Sequence, residues 1–192
     1  MTTGSVSPRR ADTRRNHERI LAAALESLTT SGELSFNAIA KRAEVGVGTV
    51  YRHFPTPEAL ILAVYRREVQ HLGDVVPTLL AEHPPEQAFR TWTGHLARYM
   101  KTKRGLADAI RAATTSHEQL FAQSYEVMLT AVTTLIDANI KAGTVRADLD
   151  PSIVLRALGG MFYVDFGGDW QTVTRSLTDL LWTGMRDCSK CD

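Results

Sequence analysis

Cysteine is almost absent from this 192-residue chain: only Cys188 and Cys191 occur, both within the last five positions. Their C-x-x-C spacing is that of half a zinc site or of a redox pair. No second pair exists, and none of His17, His53, His71, His83, His95 or His117 is adjacent in sequence. Incidental tail cysteines are the simpler reading, and no metal is expected. Long apolar runs are missing too. The longest on a helical pattern, Val127 to Ile136, is bounded by Glu126 and Asp137. That is far short of the roughly 20 residues that span a bilayer. Arg9-Arg10 has the look of a twin-arginine export signal, but no apolar stretch follows it directly. The expectation is a cytoplasmic protein with no membrane partner. No segment alternates as a half-buried strand, and there is no Asn-Gly or Asp-Gly hairpin turn and no internal repeat. Catalytic frames are missing as well: no nucleophile elbow, no His-Glu-x-x-His, no convincing carboxylate pair. An enzyme and a cofactor are therefore not expected.

What is present is a globular composition, 44% apolar and 22% charged, which argues against long disorder and allows a substantial core. The net charge of +1 is unevenly spread. Up to His53 eight basic residues (Arg9, Arg10, Arg14, Arg15, Arg19, Lys41, Arg42, Arg52) face five acidic ones (Asp12, Glu18, Glu26, Glu33, Glu44). A modestly basic head on a slightly acidic body fits an anionic partner bound at one end.

Residues 1–12 lack periodicity and read as a flexible basic arm. From Thr13 to Ser31, Ile20, Ala24 and Leu28 recur at helical spacing, and Gly32 supplies a left-handed stop. Ser35 is an N-cap for a short helix with Phe36, Ile39, Ala40 and Ala43 inside. Thr56-Pro57-Glu58 is a stronger start, with a cap, a first-turn proline and an acid at the positive end of the dipole. Further helices are expected after His83-Pro84-Pro85, around Leu106 to Ala113, from Leu120 to Ile136 ahead of Gly143, and after Asp150-Pro151 up to Gly167-Gly168-Asp169. The last carries Val173, Leu177, Leu180, Leu181 and Met185. The fold class is all-α with about nine helices. The expected division is residues 13–56 and 57–192.

One stretch, "AEVGVGTVYRHF" at 43–54, invites two readings. A dinucleotide loop needs G-x-G-x-x-G after a strand. Here Tyr51 stands at the third glycine position, a helix precedes, and no Walker lysine follows. The phosphate-loop reading fails. At about 100° per residue, Val47, Val50 and Phe54 fall on one side and Gly48, Thr49, Arg52 and His53 on the other, with Tyr51 at the border. The apolar side suits Phe36, Ile39 and Ala40, and Glu44 to Gly46 is turn-sized. That is a helix-turn-helix, whose second helix enters the major groove, or an ordinary helical hairpin with a solvated face.

The run "FNAIAKRAEVGVGTVYRHFPTPEALILAVY" resembles the DNA-binding domain of TetR-family transcriptional repressors. The likeness covers about the first third of the chain. "KRGLADAIRAA" and "AGTVRADLDP" are similar to an actinobacterial branch of that family. The resemblance implies an all-α homodimer that binds a double-stranded DNA operator and lets go when a small-molecule effector binds its C-terminal domain. It implies that Tyr51 bonds a phosphate, that Thr49 and Arg52 face base edges or backbone, and that His53 packs or touches the backbone. Ser35 and Lys41 would contact phosphates, and Gly48 would allow close approach. Three residues depart from the pattern: Glu44 at a turn position usually held by glycine, Gly46 for a serine cap, and Pro57 for a lysine.

The resemblance also implies a dimer interface from the last two helices, here Leu158, Phe162, Leu177, Leu181 and Met185, with Ala157 and Gly159-Gly160 allowing close approach. The alternative is that these are core of a single protomer. Trp92, Tyr99, Phe121, Tyr125, Met128 and Phe162 are candidates for a ligand pocket, although each taken singly reads first as plain core. No basic cluster along the sequence calls for an anionic ligand, and no aromatic cage names a cation. The rival function is a helical protein-interaction or metal- or redox-sensing module without sequence-specific DNA binding.

Overall fold

A computed structural model describes residues 8–30, 34–114, 117–163 and 169–186. Among them the architecture is all-α. The helices are α1 (Pro8–Thr30), α2 (Phe36–Arg42), α3 (Val47–His53), α4 (Pro57–Glu82), α5 (Pro85–Gly105), α6 (Ala107–Ala113), α7 (His117–Ala142), α8 (Pro151–Tyr163) and α9 (Trp170–Met185). Gly32, Gly167, Gly168, Cys188 and Cys191, which carried expectations above, lie outside the described residues.

The start signals behave as their chemistry requires. The Ala59 N–H donates to Thr56 Oγ1 at 3.2 Å, and the Ser152 N–H donates to Asp150 Oδ1 at 2.8 Å. Both satisfy amides that have no carbonyl in the first helical turn. Two boundaries differ from expectation. α1 begins at Pro8 rather than Thr13, so residues 8–12, assigned above to a flexible arm, are helical. A proline at the first position loses no hydrogen bond and already has helical φ. Asp169, read as ending a helix, instead caps the next one: its Oδ1 accepts from the Thr172 N–H at 3.1 Å. Gly143 closes α7 with φ 66°, the left-handed conformation that glycine adopts without steric cost.

The chain forms two compact units, Met1–Arg66 with Gly105–Thr115, and Arg67–Arg104 with Ser116–Asp192. This division lies within α4, ten residues beyond the 56–57 boundary expected from sequence. The first turns of α4 bring Leu60, Ile61, Val64 and Tyr65, all buried, into the first unit. In that unit α1 packs on α2 and α2 on α3, around Ile20, Ala24, Leu28, Ile39, Val50 and Phe54. Each fully buried Ile, Leu or Val contributes about 1.5–3 kcal/mol relative to exposure.

In the second unit α7 packs on α8 and α8 on α9. The indole N–H of buried Trp92 donates to the Leu72 carbonyl at 2.8 Å. Arg90 joins α5 to α9, pairing with Glu86 and Asp179 and lying 5.4 Å from the centre of the Trp182 ring.

A candidate nucleic-acid interface

The turn between α2 and α3 decides where α3 points. After α2 the Glu44 N–H bonds the Lys41 carbonyl at 3.2 Å and the Val45 N–H bonds the Ala40 carbonyl at 3.0 Å. This pair of bonds is a Schellman closure, which needs a left-handed residue between them. Glu44 is that residue, with φ 50°, and no other described non-glycine residue has positive φ. Its carboxylate is paired with the Arg19 guanidinium from α1. The departure noted at Glu44 is thus met by a left-handed glutamate.

Gly46 then opens α3 with no side-chain cap; the first bonds are Thr49 N–H to its carbonyl at 2.8 Å and Val50 N–H at 3.4 Å. Val50 and Phe54 are buried against the unit's core, but Val47 is 41% exposed. Val47 is therefore not part of the packed side expected from the wheel. It sits in the first turn, before the helix has closed on its neighbours.

The outer surface collects most of the residues singled out above. Tyr51 is 54% exposed, its ring resting 4.8 Å from that of buried Phe36, so its hydroxyl edge faces outward from a fixed support. Arg52 and Lys41 are exposed, and neither has an ion-pair partner among the described residues. Gly48 is exposed, and a Cβ built on it meets nothing within 4 Å. Thr49 is half-buried beside it.

Ser35 and His53 have duties inside the protein. Ser35 Oγ caps α2, accepting from the Ala38 N–H at 3.4 Å, which leaves its O–H to donate. His53 is half-buried, with its ring 5.5 Å from His17 of α1. Burial, then the nearby His17 and Arg52, hold its pKa below the ordinary imidazole value. Its ring packs from α3 against α1. Arg42, though exposed, reaches across to α1, bonding Ser27 Oγ at 2.8 Å and pairing with Glu26 at 3.4 Å. Sequence reasoning missed the roles of Arg19 and His17, because a pairing between α1 and a turn 25 residues later has no local signal.

In the second unit the other candidates separate by burial. Leu158, Phe162 and Met185 are buried within the protomer. Leu177 and Leu181 are half-buried. Ile153 at 60% and Leu180 at 70% are strongly exposed. Among the pocket candidates, Trp92, Tyr99 and Phe162 are buried, Tyr125 and Met128 half-buried, and Phe121 is 38% exposed. No described helix is long and apolar enough to cross a membrane.

Comparison with known proteins agrees with this geometry. Residues 20–64 match the bacterial regulatory proteins of the tetR family, and residues 84–187 match the C-terminal domain of SbtR-like transcriptional regulators. A TetR transcriptional regulator of Streptomyces coelicolor, SCO0520, is 40% identical with a TM-score of 0.81, over 88% of this chain and 97% of that one. A TetR regulatory protein of Mycobacterium vanbaalenii is 32% identical with a TM-score of 0.78, over 94% and 100%. The HTH-type transcriptional repressor KstR of Mycolicibacterium smegmatis is 32% identical over 103 residues, 52% of this chain and 50% of that protein. The chain thus spans about half the length of that curated relative. Regulators of this kind bind DNA and are not enzymes. With a helix-turn-helix whose outer face is open and two family matches that together cover most of its length, this chain belongs to the TetR family of bacterial transcriptional regulators.

Proposed function

We propose that the protein is a ligand-responsive repressor that binds a palindromic operator as a homodimer and is released by a small-molecule effector. The observation that carries the DNA reading is the outer face of α3. Gly48 leaves room for a close approach, while Tyr51 and Arg52 project from it with Lys41 of α2 nearby. Tyr51, Lys41 and the Ser35 hydroxyl suit phosphate oxygens, which set register without reading sequence. Arg52, with Thr49, suits base edges, and a bidentate Arg–guanine contact discriminates by about 1–3 kcal/mol. The repressor sign is supported by the likeness to KstR, itself named a repressor. The work is done on DNA in the cytoplasm.

The homodimer reading rests on two apolar stripes. Ile153, Ala157 and Gly160 of α8, and Val173, Leu177, Leu180 and Gly184 of α9, follow helical spacing on faces turned away from the buried residues of the same helices. A Cβ at Gly160 or Gly184 meets nothing within 4 Å, so a second copy's helices can come close. Isologous pairing of this surface would set two recognition helices about 34–36 Å apart on one face of the duplex.

The test is DNA binding by fluorescence anisotropy against fragments of the protein's own upstream region. Arg52→Ala is expected to lower affinity for the preferred site about tenfold or more. Tyr51→Phe should weaken binding to all fragments without reordering them. Absence of salt-dependent binding to any DNA by the wild-type dimer would refute the repressor and favour a protein-interaction module.

A further inference from the structure

The basic residues at the end of α5 look like a solvated run in sequence, Lys101-Thr-Lys103-Arg104, but the fold directs each to a different neighbour. Lys101 Nζ lies 5.3 Å from the Trp170 ring centre, and Arg104 donates to the Tyr163 carbonyl at 2.9 Å. Lys103 Nζ stands 4.4 Å above the ring of Phe121 on α7. One turn on, Tyr125 carries Arg156 of α8 at 5.9 Å. Residues four apart share a helix face, so Phe121 and Tyr125 form a continuous aromatic shelf with a cation over each ring. Lys103 is half-buried, and no carboxylate is within ion-pair distance of it among the described residues. Burial pushes its pKa below the ordinary lysine value.

An ammonium taken partly out of water with only a ring quadrupole for compensation is held at a cost. A structural lysine in that place is ordinarily given a carboxylate partner. One with no carboxylate partner among the described residues, beside a half-exposed aromatic shelf, matches an anion that arrives from outside with an apolar body attached. We propose that Lys103 is the anion-recognising residue of the effector site, and that the effector is an organic acid whose carboxylate meets the ammonium while its apolar part lies on Phe121 and Tyr125. This rests on the effector reading above and gives its ligand a chemical class. Lys103 and Arg156 are 53 positions apart in sequence and are brought to neighbouring rings on the face of α7 only by the fold.

The probes are 2-naphthoate, its neutral isostere 2-naphthamide, and inorganic phosphate, each titrated by calorimetry into the full-length protein and into Lys103→Met. Naphthoate is expected to bind the wild type about tenfold more tightly than naphthamide, as one charge-assisted contact allows. Lys103→Met should erase that preference. It should also raise the thermal midpoint of the ligand-free protein, because methionine fills the same space without a buried charge. A lysine serving only the fold would lower the midpoint when replaced. Equal binding of naphthoate and naphthamide, a naphthoate preference surviving in Lys103→Met, a lowered midpoint, or phosphate binding as tightly as naphthoate would each overturn the proposal. Gel shifts separate it from the broader function. Naphthoate that binds through Lys103 without releasing DNA upholds the anion site and refutes the effector role. A wild-type protein that never binds DNA refutes the repressor while the calorimetry still decides the site.

Discussion

Glu44 shows how one residue can set the geometry of an interface it does not form. A left-handed conformation costs an L-residue about 1–2 kcal/mol, and Glu44 adopts it at φ 50° to close the Schellman turn. The Arg19 pair that holds its carboxylate is largely solvent-exposed and returns no more than about 1 kcal/mol. Glu44→Gln keeps the strain and removes the ion pair. Glu44→Gly removes both, at about 0.5–1 kcal/mol of extra backbone entropy. We expect the glycine variant to be the more stable of the two by about 0.5–1 kcal/mol in urea denaturation at equal m-value. Equal midpoints would mean that the strain at this position does no more than offset the entropy cost of glycine. That glutamate departed from a glycine pattern was legible in the sequence. That it would accept the left-handed conformation, with an arginine of α1 to hold it, was not.

At the scale of the element, α3 is a seven-residue helix without a side-chain cap, too short to be stable alone. Val50 and Phe54 anchor it, and Tyr51 braces on Phe36. Gly48 weakens it further, since glycine in a helix costs about 1 kcal/mol relative to alanine, and none of the described residues occupies the space a methyl group would take. Gly48→Ala is therefore expected to raise stability by about 1 kcal/mol while reducing DNA affinity, because the added methyl group projects toward the groove. Higher stability with unchanged DNA affinity would show that this face of α3 does not approach the duplex. The period of the apolar residues made α3 readable from sequence alone. The wheel erred at Val47, since angle says which side a residue faces but not whether a neighbouring element reaches that far along the helix.

Over the whole molecule, burial sorts the apolar residues of α8 and α9 into two sets that sequence cannot distinguish. Leu158, Phe162 and Met185 are interior, whereas Ile153 and Leu180 are exposed on the same two helices. The exposed set makes the dimer testable. Leu180→Glu should leave the helical circular dichroism of the protomer intact and shift sedimentation toward monomer at micromolar concentration, because each two-fold interface would then bury two like charges. A dimer unaffected by Leu180→Glu would place the interface elsewhere. Loss of the dimer should also weaken operator binding, since a single recognition helix makes half of the contacts.

Local chemistry sufficed for the helices, their caps and the recognition segment. Ser35, Thr56-Pro57 and Asp150-Pro151 act on backbone amides only a few residues away, so their effect is written in consecutive positions. The split of the chain within α4 was not readable in this way, because it depends on which distant side chains are buried together. The same holds for the tie of Arg19 to the left-handed Glu44, for His53 packed on His17, and for Lys103 standing over Phe121. Each of these joins residues on separate elements. Burial and charge proximity are properties of a packed volume, and only tertiary structure brings such residues within a few ångströms of each other.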